Sequence, residues 1–377
     1  MKIKKIGILT YHTGFNYGAS LQAFALQTTI KKMGYLCEII NFETERFVAS
    51  REMFSRKPRR LKESIKIVTR LPYYQTLKKR QRLFESYTKN CLDTSSLYRT
   101  EQEVVSHIDD YDCIICGSDQ IWNLSQDDAP AANLLYFLNF PKTQRRVSYA
   151  ASFGKWVKEA ETREDEFLPW LKEFDYLSMR EDTGVEYIRA KGLECELTLD
   201  PTVLLEQEDY DTICAERMVN YSYVLLFSWI CGEEVVKAAK KVAAEMKLPL
   251  LNLTPPPRAI FKGIKRKLDV GPREFLSMIK YADFVITDSF HGTAFSTIFK
   301  KPYVSVVSND KPDTRMASLL SQLGMENHLV NVEQIDLNAI KNTDYLAVQS
   351  KKRVLRERSF AFLDQALDGL ERNCDKF

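Results

Sequence analysis

The sequence predicts an α/β fold of two Rossmann-like domains, and three features point to it. Short apolar strands alternate with helices whose apolar residues recur at helical spacing. Strands run into glycine-bearing or polar loops that open the next helix, the pattern of a mostly parallel sheet. The alternation stops at Asp200-Pro201 and restarts at Tyr223, which predicts a first domain over 1–210 and a second over 211–345. A last helix, within 346–377, is expected to pack back on the first domain. The chain has 377 residues, 45% hydrophobic and 28% charged, so two cores of ordinary globular composition are within reach.

Taken in order, Ile6 to Thr10 reads as a strand, and Thr13 to Gly18 as a glycine-bearing loop. The helix opening at Ala19 stops near Gly34, a C′ glycine. Leu36 to Phe42 is the next strand, so residues 3–42 form one βαβ unit. Residues 50–90 read as a basic helical insertion, with Leu61, Ile65 and Val68 at i, i+4 and i+7 and a break at Pro72. Strands are expected at Asp112–Cys116, Arg146–Ala150, Tyr176–Met179 and Leu197–Leu199, with a helix from Glu181 or Asp182 through Ile188. In the second domain, strands are expected at Tyr223–Ser228, Leu248–Leu253, Phe284–Thr287 and Tyr303–Val307. The helices between them are Glu233–Met246, Phe275–Tyr281 and a segment ending at Phe299, and Pro255-Pro256-Pro257 is a rigid loop.

The apolar run at Ile6 to Leu9 is too short for a signal-peptide core, and no stretch reaches the roughly 18 apolar residues of a membrane span. A cytoplasmic protein is expected. The eight cysteines are scattered. Cys113 and Cys116 lie three apart on a strand and point to opposite faces, so no metal site is expected from them. Net charge is +3, unevenly spread: residues 51–82 hold twelve Lys/Arg against two Glu, a net of +10. That segment is a solvated helical face or a peripheral contact with an anionic membrane at its inner surface. Nucleic acid is not expected, because no recognisable binding module accompanies the charge.

Ligands of open α/β sheets bind beyond the carboxyl ends of the strands. The polar strand ends here are Asn16 to Ser20, Gly117 to Asp119, Arg180-Glu181 and Asp288 to Thr293. The strongest is Thr287-Asp288-Ser289-Phe290-His291-Gly292-Thr293. It brings a histidine, suited to moving protons near neutral pH, to a helix start whose amides favour an anion. A capped helix with a hydrogen-bonded histidine is the plainer alternative. Asn16, Gly18 and Ser20 form either a phosphate or sugar cradle or a capped tight turn. Neither GxGxxG nor GxxxxGK[ST] is present. Arg180 suits a carboxylate or phosphate ligand, or else a surface salt bridge with Glu181 or Asp182. Arg315 is a second anion contact or a solvated helix-start arginine. His12, His107 and His328 read as structural.

At these residues the chain resembles the polysaccharide pyruvyl transferase family. The segments are Asn16-Tyr17-Gly18-Ala19-Ser20-Leu21-Gln22, Gly117-Ser118-Asp119-Gln120-Ile121-Trp122, Tyr149-Ala150-Ala151-Ser152-Phe153-Gly154, Ser178-Met179-Arg180-Glu181, Leu199-Asp200-Pro201-Thr202 and Thr287-Asp288-Ser289-Phe290-His291-Gly292. The resemblance implies a GT-B-like arrangement with a cleft between the domains. It also implies a phosphoenolpyruvate donor and a pyruvate ketal formed on a sugar, possibly lipid-linked, of a surface or capsular polysaccharide. No cofactor is implied. The family's donor-site arginine and histidine correspond to Arg180 and His291; where some relatives carry an arginine before that histidine, this chain has Asp288-Ser289-Phe290. The expected machinery is His291 for proton transfer, with Asp119, Asp288 and Glu181 to orient it or act as second acid/base. Arg180, Arg315 and the amides near Gly292 would hold the donor, and Asn16, Gly18, Ser20, Ser118, Ser289 and Thr293 would contact substrate. Two other functions fit the sequence: a glycosyltransferase of the same fold using a nucleotide sugar, and a non-catalytic saccharide-binding subunit.

Overall fold

Strands, most of them buried and most followed by a helix, build a four-stranded and a six-stranded parallel sheet and a parallel pair in the computed structural model. It describes residues 5–45, 47–48, 61–124, 134–154, 162–229, 231–256, 263–307 and 313–372. The chain divides into two units.

In the first unit, β1 (Lys5–Leu9) leads to the helix Tyr17–Lys32 and then to β2 (Cys37–Ile39). Asn16 starts that helix by accepting the Gly18 and Ala19 N–H groups on Oδ1 at 3.0 and 3.4 Å. Gly34 ends it in the left-handed region, with φ +90°. Parallel pairing with β3 (Tyr111–Cys116) and β4 (Arg145–Ser148) gives the strand order β2-β1-β3-β4. Bridges from Val147 to Tyr176 and from Ala151 to Met179 carry the pattern on to β5 (Ser178–Met179) and β6 (Glu196–Leu197). Trp122 is fully buried, stacked on Phe137 at 5.3 Å and donating from Nε1 to the Tyr136 carbonyl at 2.8 Å.

The second unit is a six-stranded sheet in the order β12-β11-β10-β7-β8-β9. Its strands are β7 (Val224–Phe227), β8 (Leu250–Asn252), β9 (Lys265–Arg266), β10 (Phe284–Thr287), β11 (Tyr303–Val306) and β12 (Leu329–Val330). The helix Glu233–Met246 buries Val235, Ala238, Ala239 and Val242 against it, with Glu233 and Glu234 favourably placed at its positive end.

In both sheets the chain winds first to one side and then to the other. The direction reverses between β1 and β3 in the first unit and between β7 and β10 in the second. Such a reversal leaves a crevice at the carboxyl ends of the two central strands, because the loops leaving them diverge. It is therefore the loops after β1 and β3, and those after β7 and β10, that are positioned to meet a ligand.

Two expectations are corrected. The helices Leu61–Arg70 and Tyr74–Cys91, with a turn of 3₁₀ helix at Leu71–Tyr73, were expected as part of the first domain; residues 61–87 belong to the second unit. Side-chain reach explains it. Arg70 Nε donates to the Pro256 carbonyl at 3.1 Å, Lys79 pairs with Asp269 at 2.9 Å, and Leu83 lies against Gly271. Residues 50–60 of that insertion lie outside the described residues. The strand expected at Leu197–Leu199 is confined to Glu196–Leu197, because the Leu199 N–H turns to Ser359 Oγ at 3.0 Å. That serine is on the last helix, Tyr345–Leu367, whose residues from Arg353 onward pack in the first unit; Arg356 Nε donates to the Leu204 carbonyl at 2.8 Å. No described helix is long and apolar enough to cross a membrane.

Candidate active-site loops

In the first unit, the loops after β1 and β3 are cross-linked by one amide. Gln22 donates from Nε2 to Thr10 Oγ1, the Tyr11 carbonyl and the Ala19 carbonyl at 2.9, 2.8 and 3.0 Å, and its Oε1 accepts the Ser118 N–H at 3.1 Å. Gly117 is dictated by space: a Cβ there would stand 2.2 Å from the Tyr149 carbonyl oxygen, and φ is +124°. Ser118 Oγ lies 2.9 Å from the Ala150 carbonyl and 3.1 Å from Asp200 Oδ2.

Beyond β5, the Arg180 guanidinium enters this same crevice and is buried there. Nη1 donates to Asp200 Oδ2 at 2.8 Å and Nη2 to Asp119 Oδ1 at 3.0 Å, while Nε stands 3.8 Å from Glu181 Oε2. Burial works against the guanidinium charge, but Asp119, Asp200 and Glu181 together override it and raise the pKa. One cation thus sits among three carboxylates, all deep in the unit. Asp200 Oδ1 caps the short helix Pro201–Leu204 by accepting Thr202 N–H at 3.0 Å and Thr202 Oγ1 at 2.7 Å.

Asn16, Gly18 and Ser20 complete a capped turn. The Gly18 N–H is spent on Asn16 Oδ1, and Ser20 Oγ donates to the Asn16 carbonyl at 3.1 Å. His12, buried below, contacts the Thr10 carbonyl at 3.1 Å and Asn41 Oδ1 at 3.0 Å.

In the second unit, Asp288 ties the end of β10 to the loop after β7. Its Oδ2 accepts Ser228 Oγ at 2.7 Å and its Oδ1 the Trp229 N–H at 3.3 Å. Ser228 Oγ in turn accepts the Cys231 N–H at 2.7 Å, and Thr254 Oγ1, past the end of β8, donates to the Ser228 carbonyl at 2.6 Å. This backbone is held from three strands, yet the Trp229 side chain is 52% exposed. Burial pushes the Cys231 thiol pKa up, so that sulfur is not a ready thiolate.

His291 lies in the first turn of the helix Phe290–Ile298, 7% exposed and edge-on to the Phe290 ring at 5.2 Å. Ser289 caps this helix without a side-chain bond; its N–H donates to Thr287 Oγ1 at 3.0 Å. Gly292 is a packing necessity, since a Cβ would fall 2.2 Å from Thr287 Oγ1. Thr293 turns away from the loop. It is fully buried, with Oγ1 bonded to the Ser289 carbonyl at 3.1 Å and to Ser305 Oγ at 2.6 Å. Arg315, expected as a solvated residue or an anion contact, is buried against its own helix cap. Nε donates to Asp313 Oδ1 at 2.8 Å and Nη2 to Asp313 Oδ2.

The structure thus gathers Ser118, Asp119, Arg180 and Glu181 in one unit and Asp288, His291 and Gly292 in the other. Gln22, Asp200, Ser228 and Trp229 were absent from the expected site. Gln22 and Asp200 lay in segments that carry the family resemblance, and Asp200 also stands directly before a helix-starting proline; Ser228 and Trp229 carried no such signal. Among the described residues no cluster of three His, Cys, Asp or Glu is arranged to hold a metal ion.

Comparison with solved structures places the fold. The UDP-GlcNAc 2-epimerase of Neisseria meningitidis bound to UDP-GlcNAc is similar at TM-score 0.54 and 9% identity, over 97% of this chain and 100% of that one. MnaA of S. aureus with UDP is similar at TM-score 0.53 and 14% identity, over 97% of each chain. Identities this low establish the fold alone, the GT-B fold of two Rossmann-like units. No curated protein matches the chain. The profile of polysaccharide pyruvyl transferases matches residues 16–311, from the capped turn at Asn16 past the His291 helix, and the chain belongs to that family.

Proposed function

We propose that the protein transfers pyruvate from phosphoenolpyruvate to two hydroxyls of one sugar of a polysaccharide or its precursor, closing a ketal and releasing phosphate. The observation that carries this proposal is the family match across 16–311, together with His291 in the first turn of the helix that follows β10, at the reversal of the second sheet. His291 is the proton donor to the methylene carbon, which becomes the methyl group and leaves the adjacent carbon electrophilic. One sugar hydroxyl adds there. Phosphate departs with the electrons of its C–O bond, and the second hydroxyl closes the ring. Of the two hydroxyl protons, one restores His291 and the other leaves with phosphate. Phosphoenolpyruvate is a substrate in this scheme, and no cofactor enters it.

The geometry suggests a division of labour. Amides at the start of Phe290–Ile298 suit the donor's anionic groups. Asp288 acts as a positioning residue through Ser228 and Trp229. The exposed indole of Trp229 offers an apolar face for the acceptor ring. Arg180 and Arg315, each closed by buried carboxylates, hold their loops in shape.

The test is phosphate release from phosphoenolpyruvate with galactosyl, mannosyl and glucosyl acceptors, lipid-linked ones included. Acceptor-dependent release that falls about 10²–10⁴-fold in His291→Ala, with folding intact, is expected. The epimerase and MnaA structures hold UDP-GlcNAc and UDP, so a nucleotide-sugar donor is the competing reading. Thermal stabilisation by UDP-sugars, with none by phosphoenolpyruvate, would favour it.

A further inference from the structure

We infer that the helical segment 61–74 docks the protein on an anionic phospholipid surface. Four of the ten exposed large hydrophobics among the described residues fall within ten positions of one another: Ile65 at 47%, Val68 at 64%, Leu71 at 56% and Tyr74 at 43% exposure. They recur at three-residue steps along Leu61–Arg70, the 3₁₀ turn after it and the first residue of the next helix, which puts an apolar row on the surface.

The following helix shows why this row is outward. Its residues Leu77, Phe84 and Tyr87 are buried, and Arg80 Nη1 reaches the Leu253 carbonyl at 3.4 Å. The segment is therefore anchored to the second unit along 77–87, and before that by Arg70 on the Pro256 carbonyl and Tyr73 beside Arg266, while the side chains of Ile65, Val68, Leu71 and Tyr74 stay exposed.

Charge selects the occupant. Residues 51–82 carry a net +10, in a chain whose total is +3. A segment whose sequence is this basic and which exposes an apolar row suits a membrane interface, where acyl chains take apolar side chains and anionic headgroups attract lysines and arginines. A nucleic-acid backbone would satisfy the charges and leave the apolar row in water. A second copy of the chain would bring a second +10 against the first.

The experiment is flotation of the full chain with vesicles of phosphatidylglycerol and phosphatidylcholine against vesicles of phosphatidylcholine alone, at low and high salt. Binding to the anionic vesicles, weakened by salt, is expected. It should fall about tenfold or more both in Val68→Glu/Leu71→Glu and in Lys62→Glu/Lys66→Glu, with thermal unfolding unchanged. No binding to anionic vesicles, or equal binding by wild type and both variants, overturns the inference. A dimer in sedimentation that Val68→Glu/Leu71→Glu dissolves would also overturn it, by assigning the row to a second copy.

Discussion

Arg180 donates from Nη1 to Asp200 Oδ2 at 2.8 Å, with both side chains buried, and this pairing sets what the arginine can do. Its other terminal nitrogen is committed to Asp119 at 3.0 Å. Replacing it by methionine would leave two buried carboxylates without their cation. Arg180→Met is therefore expected to cost about 3–5 kcal/mol of stability and to lower the unfolding temperature. Thermal unfolding with and without phosphoenolpyruvate checks this. A variant of unchanged stability whose KM for the donor rises would instead make Arg180 a direct ligand.

Trp229 is expected to govern the acceptor and leave the donor alone. Its N–H is held by Asp288, and Ser228 holds the Cys231 N–H further along the loop, so truncating the exposed indole should not unfold the loop. Trp229→Ala should raise the acceptor KM about tenfold, with the phosphoenolpyruvate KM unchanged and Trp229→Phe largely restoring it. Asp288→Ala should move the acceptor KM the same way by loosening the loop. An unchanged acceptor KM in Trp229→Ala removes the indole from recognition.

The strand–helix alternation was legible because it is local: Glu233–Met246 and Phe284–Thr287 coincide with the elements expected from periodicity. So was the choice of strand-end loops, since glycines and polar residues there break the apolar pattern. The wiring of those loops was not. Ser118 meets Asp200 across 82 residues and Gln22 across 96, and Ser228 meets Asp288 across 60. No spacing rule reaches that far. Arg180 and Arg315 show the same limit from the other side. A sequence displays an arginine near an anion-friendly strand end or helix start, and only the fold reveals the carboxylate that already occupies it.

Gly292 is expected to tolerate nothing larger. An added methyl would press on Thr287 Oγ1 at 2.2 Å and on Phe227 Cδ1 at 2.9 Å, atoms of the two central strands of the second sheet. Gly292→Ala should therefore cost about 1–3 kcal/mol and displace the neighbouring His291, reducing turnover as well. A stable, fully active variant would show that this helix start can shift without consequence.

His328 predicts an acid sensitivity unconnected with catalysis. Its ring is buried, with Nδ1 2.9 Å from the Tyr303 carbonyl and Nε2 2.8 Å from Thr343 Oγ1. Burial pushes its pKa down to about 4, against the opposing pull of the Tyr303 carbonyl. Because the folded value lies below the unfolded one of about 6.5, the unfolded chain takes up the proton first as pH falls. Stability is then independent of this group above about pH 6.5 and declines from there toward pH 4, by up to about 3 kcal/mol. Denaturant midpoints of wild type and His328→Gln between pH 7.5 and 4.5 measure it, the common titration of surface carboxylates cancelling in the difference. The wild type should lose more stability than the variant across that range. Parallel curves would mean that the folded protein accepts a charged imidazole at 328.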